Sequence, residues 1–152
     1  MATPQTSHAA NVLLQGYLLR AGGQLVQGPY KLIMQADCNL VLYKNGNKVL
    51  WASHTYKRGT GCYFIMQTDG NAVIYTGAKK VVYATNTYGR NDGAHYIIMQ
   101  GDGNVVMYNG GGRAIWSTGT YGLAAPQKEL DGRDLLRTGQ VGGLLAPADA
   151  QP

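Results

Sequence analysis

The chain has 152 residues, a formal net charge of +5 at pH 7, 22 glycines, 11 tyrosines and only 14% charged residues. This length fits a single domain with a real core, and the lysines and arginines are too scattered for a nucleic-acid-binding surface. No stretch approaches the ~18 apolar residues of a membrane span, which argues against insertion into a membrane.

The sequence predicts three segments. Residues 1–10 form a polar leader that lacks the apolar region of a signal peptide. Residues 11–121 contain an internal repeat and form the domain. Residues 122–152 contain no repeat element and end in Ala/Pro-rich sequence, so we expect a disordered or removable C-terminal extension.

Residues 11–121 predict an all-β fold of short antiparallel strands. Segments 12–20 and 24–26 supply short strands, and three similar units follow, each with three apolar runs separated by Gly/Asn-rich turns. Asp69-Gly70 and Asp102-Gly103 are typical hairpin turns. The third run of each unit carries an aromatic residue that we expect to face a shared centre: Trp51, Tyr83 and Trp116. Three four-stranded sheets arranged as a three-sided prism follow from this pattern.

The pattern Gln-x-Asp-x-Asn-x-Val-x-Tyr occurs three times, in motif 1 (residues 35–43), motif 2 (67–75) and motif 3 (100–108). A structural repeat must repeat its apolar positions, but it has no folding reason to repeat an exposed set of polar groups. We therefore expect one binding site made three times. Its residues are Gln35, Asp37, Asn39, Val41, Tyr43, Gln67, Asp69, Asn71, Val73, Tyr75, Gln100, Asp102, Asn104, Val106 and Tyr108.

The residue types of the motif suit a sugar. A carboxylate, two amides and a phenol match a cluster of vicinal hydroxyls, each of which both donates and accepts. An Asp and an Asn two residues apart that reach the same hydroxyl would select its orientation. The valine adds an apolar spot for a sugar C–H face.

Other functions fit the motif less well. A calcium loop needs more oxygen ligands than the single carboxylate of each unit provides, and hydrolysis of a glycosidic bond needs two carboxylates. The three histidines fall at unrelated places in their units, so we expect neither an enzyme nor a metal or other cofactor. A purely structural motif, in which the polar groups bond the turn backbone, would explain Asp and Asn but explains Gln, Val and Tyr poorly.

The two cysteines, Cys38 and Cys62, are either two buried thiols or one disulfide, and a Gly-rich β protein favours the disulfide. In the chain-entropy model a loop of this size contributes about 3 kcal/mol. A disulfide implies an oxidising compartment, so we expect a secreted or vacuolar protein.

Residues 11–121 resemble the monocot mannose-binding lectins, the bulb-type or snowdrop-agglutinin-like family, in the three motifs and in the runs Trp51-Ala52-Ser53 and 116–120. The resemblance implies the β-prism II fold with a pseudo-threefold axis, a Cys38–Cys62 disulfide, and metal-free binding of mannose. It further implies that Asp and Asn take the axial O2, Gln takes O3, Tyr takes O4 and Val packs on the ring. Tyr83 departs from the family, which usually has Trp there.

The resemblance also implies assembly and processing. The family commonly exchanges its C-terminal strand between two subunits, here residues 114–121, so we expect a homodimer or higher homo-oligomer. The segment from Gly122 corresponds in position to a propeptide. Intact motifs favour a defence lectin that gains avidity by multivalency on mannose-containing glycans, rather than a storage or protein-recognition member with little sugar binding.

Overall fold

The computed structural model describes residues 10–122, which form twelve β-strands and no helix. Most of the predicted leader and extension, residues 1–9 and 123–152, lie outside the described residues. None of the described residues form a helix that could cross a membrane. The strands are β1 (Val12–Leu14), β2 (Leu18–Leu19), β3 (Gln24–Gln27), β4 (Tyr30–Met34), β5 (Leu40–Lys44), β6 (Lys48–Ala52), β7 (Tyr63–Met66), β8 (Ala72–Tyr75), β9 (Val81–Ala84), β10 (Tyr96–Met99), β11 (Val105–Tyr108) and β12 (Ala114–Ser117).

The strands make three four-stranded antiparallel sheets, in the orders β3-β4-β5-β6, β2-β7-β8-β9 and β1-β10-β11-β12. This confirms the predicted all-β class with three sheets. Each repeat unit supplies three consecutive strands of one sheet. The fourth strand comes from the first 27 residues, in reverse order, so that β1 joins the last unit and β3 joins the first. The N-terminal segment therefore ties all three sheets together.

The hairpin between the first two strands of each unit closes through a residue with positive φ. These residues are Cys38, Gly70 and Gly103, with φ values of 77°, 90° and 88°. In unit 2 the main-chain N–H of Gly70 donates to the Gln67 carbonyl at 3.3 Å, and the N–H of Gln67 donates to the Asn71 carbonyl at 2.9 Å. A tight turn followed by a left-handed residue is typical of three-residue hairpin loops, as Asp-Gly predicts.

Each of these left-handed residues contacts the following unit at one equivalent position, five residues before the next motif glutamine. Cys38 forms the predicted disulfide with Cys62, with a Cα–Cα distance of 5.2 Å. A Cβ atom on Gly70 would lie 3.3 Å from Cε1 of His95, and one on Gly103 would lie 3.1 Å from Cε1 of Tyr30. The three units thus join in a closed ring, through a disulfide, a buried histidine and a buried tyrosine.

The centre of the prism holds the three predicted aromatic residues. The Trp51 ring packs edge-on against Tyr83 and Trp116, with ring centroids 6.0 and 5.9 Å apart. Such T-shaped pairs contribute about 1 kcal/mol beyond area burial. Burial raises the pKa of the Tyr83 phenol to about 12, and a contact with the Trp116 side chain offsets part of that shift.

The last strand, β12, pairs with β11 of the same chain, and Trp116 is 2% exposed in its own core. The resemblance to the lectin family implies that a second chain exchanges this strand. Dimerisation by strand exchange stays a prediction.

We expect Tyr83→Phe to make the protein more resistant to alkali. The ordinary pKa of tyrosine is 10.0, so between pH 10 and 12 the phenol ionises in the unfolded chain and stays neutral in the folded one. The wild-type free energy of unfolding should therefore fall by up to about 2 kcal/mol over this range because of Tyr83. Urea unfolding at pH 8 and pH 11.5 measures the difference.

Tyr88→Phe is the matched control, because this side chain is 65% exposed. The wild type and Tyr83→Phe share every other tyrosine, so the difference between their stabilities isolates Tyr83. An equal alkaline loss of stability in Tyr83→Phe and in the wild type would contradict the assignment.

Candidate functional site

In each motif, the side chains of Gln, Asp and Tyr form a connected triangle across the hairpin. The tyrosine hydroxyl donates to the glutamine amide oxygen, and the glutamine amide nitrogen donates to the aspartate carboxylate. In motif 1 the same bonds form with the Gln35 amide in the orientation that satisfies both partners. The Tyr–Gln distances are 2.6, 2.5 and 2.9 Å in motifs 1, 2 and 3. The shortest Gln–Asp distances are 3.1, 3.1 and 3.3 Å. The structure thus brings the predicted residues together three times.

The aspartates also hold the turn. One carboxylate oxygen of each accepts the main-chain N–H of the motif asparagine, at 3.0 Å in motif 1 and 2.9 Å in motifs 2 and 3. The aspartates therefore do bond the turn backbone, as a purely structural motif would require. A carboxylate offers about four acceptor positions, so these bonds leave it free to accept from a ligand hydroxyl as well.

Each asparagine is fixed through its amide oxygen, which accepts two hydrogen bonds from the strand-to-loop segment that follows the unit. In motif 2, Oδ1 of Asn71 accepts from the Thr85 hydroxyl and from the Thr87 main-chain N–H, both at 3.1 Å. Asn39 and Asn104 have equivalent pairs of donors. With Oδ1 saturated, the amide nitrogen is the group left to donate to a ligand.

Two hydroxyl residues hold each asparagine, and neither belongs to the motif. In motif 2 the Thr85 and Thr87 hydroxyls are 2.8 Å apart, and Thr87 donates to the carbonyl of the left-handed Gly70 at 2.6 Å. The signal was a second repeat, Ser-x-Thr or Thr-x-Thr, 18 and 20 residues beyond each motif glutamine. The six residues are Ser53, Thr55, Thr85, Thr87, Thr118 and Thr120. We call each motif with its hydroxyl pair site 1, site 2 or site 3.

The motif valines are more buried than the sequence analysis expects. Val41, Val73 and Val106 are 3%, 2% and 0% exposed, because neighbouring strands flank them on both sides. They form an apolar floor beneath the polar groups. Val106 exposes no surface in this conformation, so it offers no contact to a ligand.

The three sites differ in how open they are. Asp69 in site 2 is exposed, whereas Asn104 in site 3 is 0% exposed and its buried amide nitrogen has no partner among residues 10–122. Burial raises the pKa of Asp102, although main-chain hydrogen bonds to its carboxylate act in the opposite direction. Burial and the nearby Asp102 carboxylate both raise the pKa of Tyr108. Site 3 is thus the most enclosed site, and the Asn104 amide nitrogen reaches a ligand only after the groups that cover it move.

The sites also limit the chemistry that is available. Within the described part of the chain, no group of three or more His, Cys, Asp or Glu side chains could hold a metal ion. Each site contains one carboxylate, an amide donor and a phenol. Such a set can bind hydroxyl groups by direct hydrogen bonds.

We expect Thr85→Val to destabilise the protein by about 1–3 kcal/mol. The Thr85 hydroxyl accepts the Ala72 N–H at 3.0 Å and donates to Asn71, and the residue is 1% exposed. Valine has the same shape but leaves the buried Ala72 N–H without its partner and removes one of the two hydrogen bonds to the Asn71 amide oxygen. Urea unfolding measures the change, with the exposed Thr60→Val as control. Equal stability of the two variants would show that the hydroxyl pair is dispensable.

Comparisons with known proteins place this geometry in a family. A scan against protein-family models finds no match. A mannose-specific lectin from Dendrobium findlayanum is 53% identical over 55 residues, which are 36% of this chain and 32% of the relative. Curculin-2 from Molineria latifolia is 46% identical over 54 residues, covering 36% of this chain and 34% of the relative. The matched segment therefore spans about a third of the length of these curated relatives.

The solved structures cover far more of the chain. A monomeric monocot mannose-binding lectin from Gastrodia elata matches with a TM-score of 0.69 and 48% identity, covering 74% of this chain and 99% of that one. The chain belongs to the monocot mannose-binding lectins. Another family member, the snowdrop (Galanthus nivalis) agglutinin in complex with methyl α-D-mannoside, matches with a TM-score of 0.62 and 44% identity over 72% of this chain and 96% of the agglutinin. The β-prism II fold expected from the resemblance is thereby confirmed.

Proposed function

We propose that the protein is a lectin that binds terminal or α-linked mannose of glycans at sites 1, 2 and 3 without a metal ion. The observation that carries the proposal is the threefold recurrence of one polar constellation in one geometry. In all three sites Gln bridges Asp and Tyr, while the asparagine amide oxygen is saturated. The mannoside complex of the snowdrop agglutinin, a protein of the same family, supports this ligand.

The fixed polarity of each group defines what it does toward the sugar. The aspartate carboxylate can only accept, and the asparagine amide nitrogen can only donate. A hydroxyl that lies between them both donates and accepts, which fits the axial O2 of mannose. The glutamine and tyrosine then take O3 and O4. Glucose carries O2 equatorially, so it cannot reach both groups in the same pose and should bind more weakly.

We expect weak single-site binding and strength through valency. Three sites per chain give avidity when glycans on a target surface are spaced to match. We further propose a role in defence and a secreted or vacuolar location. The Cys38–Cys62 disulfide supports an oxidising compartment.

Calorimetric titration with methyl α-mannoside in the presence of EDTA tests the proposal. We expect millimolar dissociation constants, about −4 kcal/mol, and no effect of the chelator. The triple variant Asp37→Ala, Asp69→Ala and Asp102→Ala should lose binding, because each site loses its only carboxylate. Binding that persists in this variant would show that the motif is structural.

Methyl α-glucoside is the matched control ligand, since it differs from methyl α-mannoside only at C2. Thermal unfolding of the triple variant should accompany the titration, because each carboxylate also accepts a main-chain N–H. If the folded wild type binds no mannoside, the proposal of mannose binding is wrong. That outcome would favour the alternative of a storage or protein-recognition member of the same fold.

We also propose that two chains exchange β12. The strand is at the edge of its sheet with β11 as its one neighbour, so β12 of a second chain can make the same contacts. Exchange would give a dimer with six sites. The competing assembly is a monomer, as in the lectin from Gastrodia elata.

Light scattering on two truncated chains decides between these assemblies. A chain that ends at Gly122 should remain a dimer, since all twelve strands are kept. A chain that ends at Arg113 should lose both association and stability, because it lacks Trp116 of the core. If the full chain is a dimer, a monomeric chain ending at Gly122 would show that the C-terminal extension is part of the interface; if both are monomers, exchange of β12 is contradicted.

A further inference from the structure

A tyrosine that belongs to no motif also recurs in every unit. Tyr56, Tyr88 and Tyr121 each lie 21 residues beyond the glutamine of their motif, directly after the second hydroxyl residue of the site. Tyr56 and Tyr88 are 56% and 65% exposed, more than any other large apolar side chain of the described residues. Tyr121 is partly buried. An exposed aromatic residue that recurs three times contributes little to a core.

The three tyrosines are held in loops of the same conformation. The residue two positions before each tyrosine has positive φ: 60° at His54, 60° at Asn86 and 70° at Gly119. The residue directly after each tyrosine also has positive φ: 60° at Lys57, 82° at Gly89 and 85° at Gly122. The backbone therefore presents the three side chains in equivalent positions relative to their sites.

These loops are attached directly to the proposed mannose sites. In site 2, the Thr87 N–H donates to the Asn71 amide oxygen at 3.1 Å, and the Gly89 N–H donates to the Asp69 carbonyl at 2.9 Å. Site 1 has the same pair of bonds, with the N–H of Lys57 donating to the Asp37 carbonyl at 2.7 Å. The tyrosine lies between the two anchored residues, on the Asp and Asn side of its site.

This position corresponds to one end of the bound sugar. In the proposed pose, Asp and Asn hold O2 and the motif tyrosine holds O4. Carbon 1, which carries the glycosidic bond of a terminal mannose, neighbours carbon 2 in the ring. We therefore expect the glycosidic bond of an α-linked mannoside to begin on the side of the site that carries Tyr56, Tyr88 or Tyr121.

We propose that these tyrosines form a second subsite, on which the sugar linked to O1 of the bound mannose lies with its C–H face against the phenol ring. The ligand class is an α-linked mannoside of two or more sugars, or a mannoside with an apolar group on O1. The inference rests on the proposed mannose binding. Site 2 should show the largest effect, because Tyr88 is the most exposed, whereas the Lys57 ammonium group lies 5.2 Å from the ring centroid of Tyr56.

The test uses a chain with site 2 alone, made by Asp37→Ala and Asp102→Ala in the full-length protein. Calorimetry compares methyl α-mannoside with α1-2-, α1-3- and α1-6-linked dimannosides. In this background Tyr88→Ala should raise the dissociation constant of the dimannoside that the site prefers about fivefold, and that of methyl α-mannoside much less. Tyr88→Phe should retain the dimannoside affinity, because the ring face is kept.

Tyr17→Ala is the matched control, an exposed tyrosine outside the three sites and their loops. Equal dimannoside affinity of Tyr88→Ala and Tyr17→Ala would overturn the subsite, and so would a loss in Tyr88→Phe as large as in Tyr88→Ala. If the site 2 chain binds methyl α-mannoside, the proposed function holds whatever the tyrosine variants show. If it folds and binds neither ligand, the proposed function fails at this site, and the subsite fails with it.

Discussion

The left-handed residue of each motif turn is the constraint on which the rest of the structure depends. Its positive φ closes the hairpin and brings Asp and Asn to the same side of the turn. Its carbonyl oxygen accepts the hydrogen bond of the second hydroxyl residue, which in turn helps to fix the asparagine. Its outer surface contacts the next unit. One backbone conformation thus joins the turn, the site and the unit interface.

The sequence was sufficient to predict the strands of the repeat units. In units 2 and 3 an apolar run that ends in Met-Gln and is soon followed by Asp-Gly specifies a hairpin through local chemistry alone, and the structure has hairpins at these places. The pairing of β1, β2 and β3 with three different sheets was not predictable. These strands have only two to four residues, so their patterns carry too little information to select a partner.

The side chains that support the site were missed for a different reason. The motif shows what each site presents to a ligand and not what holds the motif in place. Ser53, Thr85 and Thr118 are far from their asparagines in sequence and meet them only across the sheet. The burial of Val106 likewise depends on flanking strands, which alternation within one strand cannot reveal.

The three unit interfaces show how the fold restricts substitution. Where the turn residue is Gly70 or Gly103, the facing side chain is a ring, from His95 or Tyr30; where it is Cys38, which has a Cβ atom, the facing side chain is the much smaller Cys62. The combined volume of the two positions is what the interface must conserve. Enlarging the turn residue alone would crowd the facing ring, which must then shift, and shrinking the facing residue alone would leave a cavity. The two positions should therefore covary as a pair when repeats of this kind diverge.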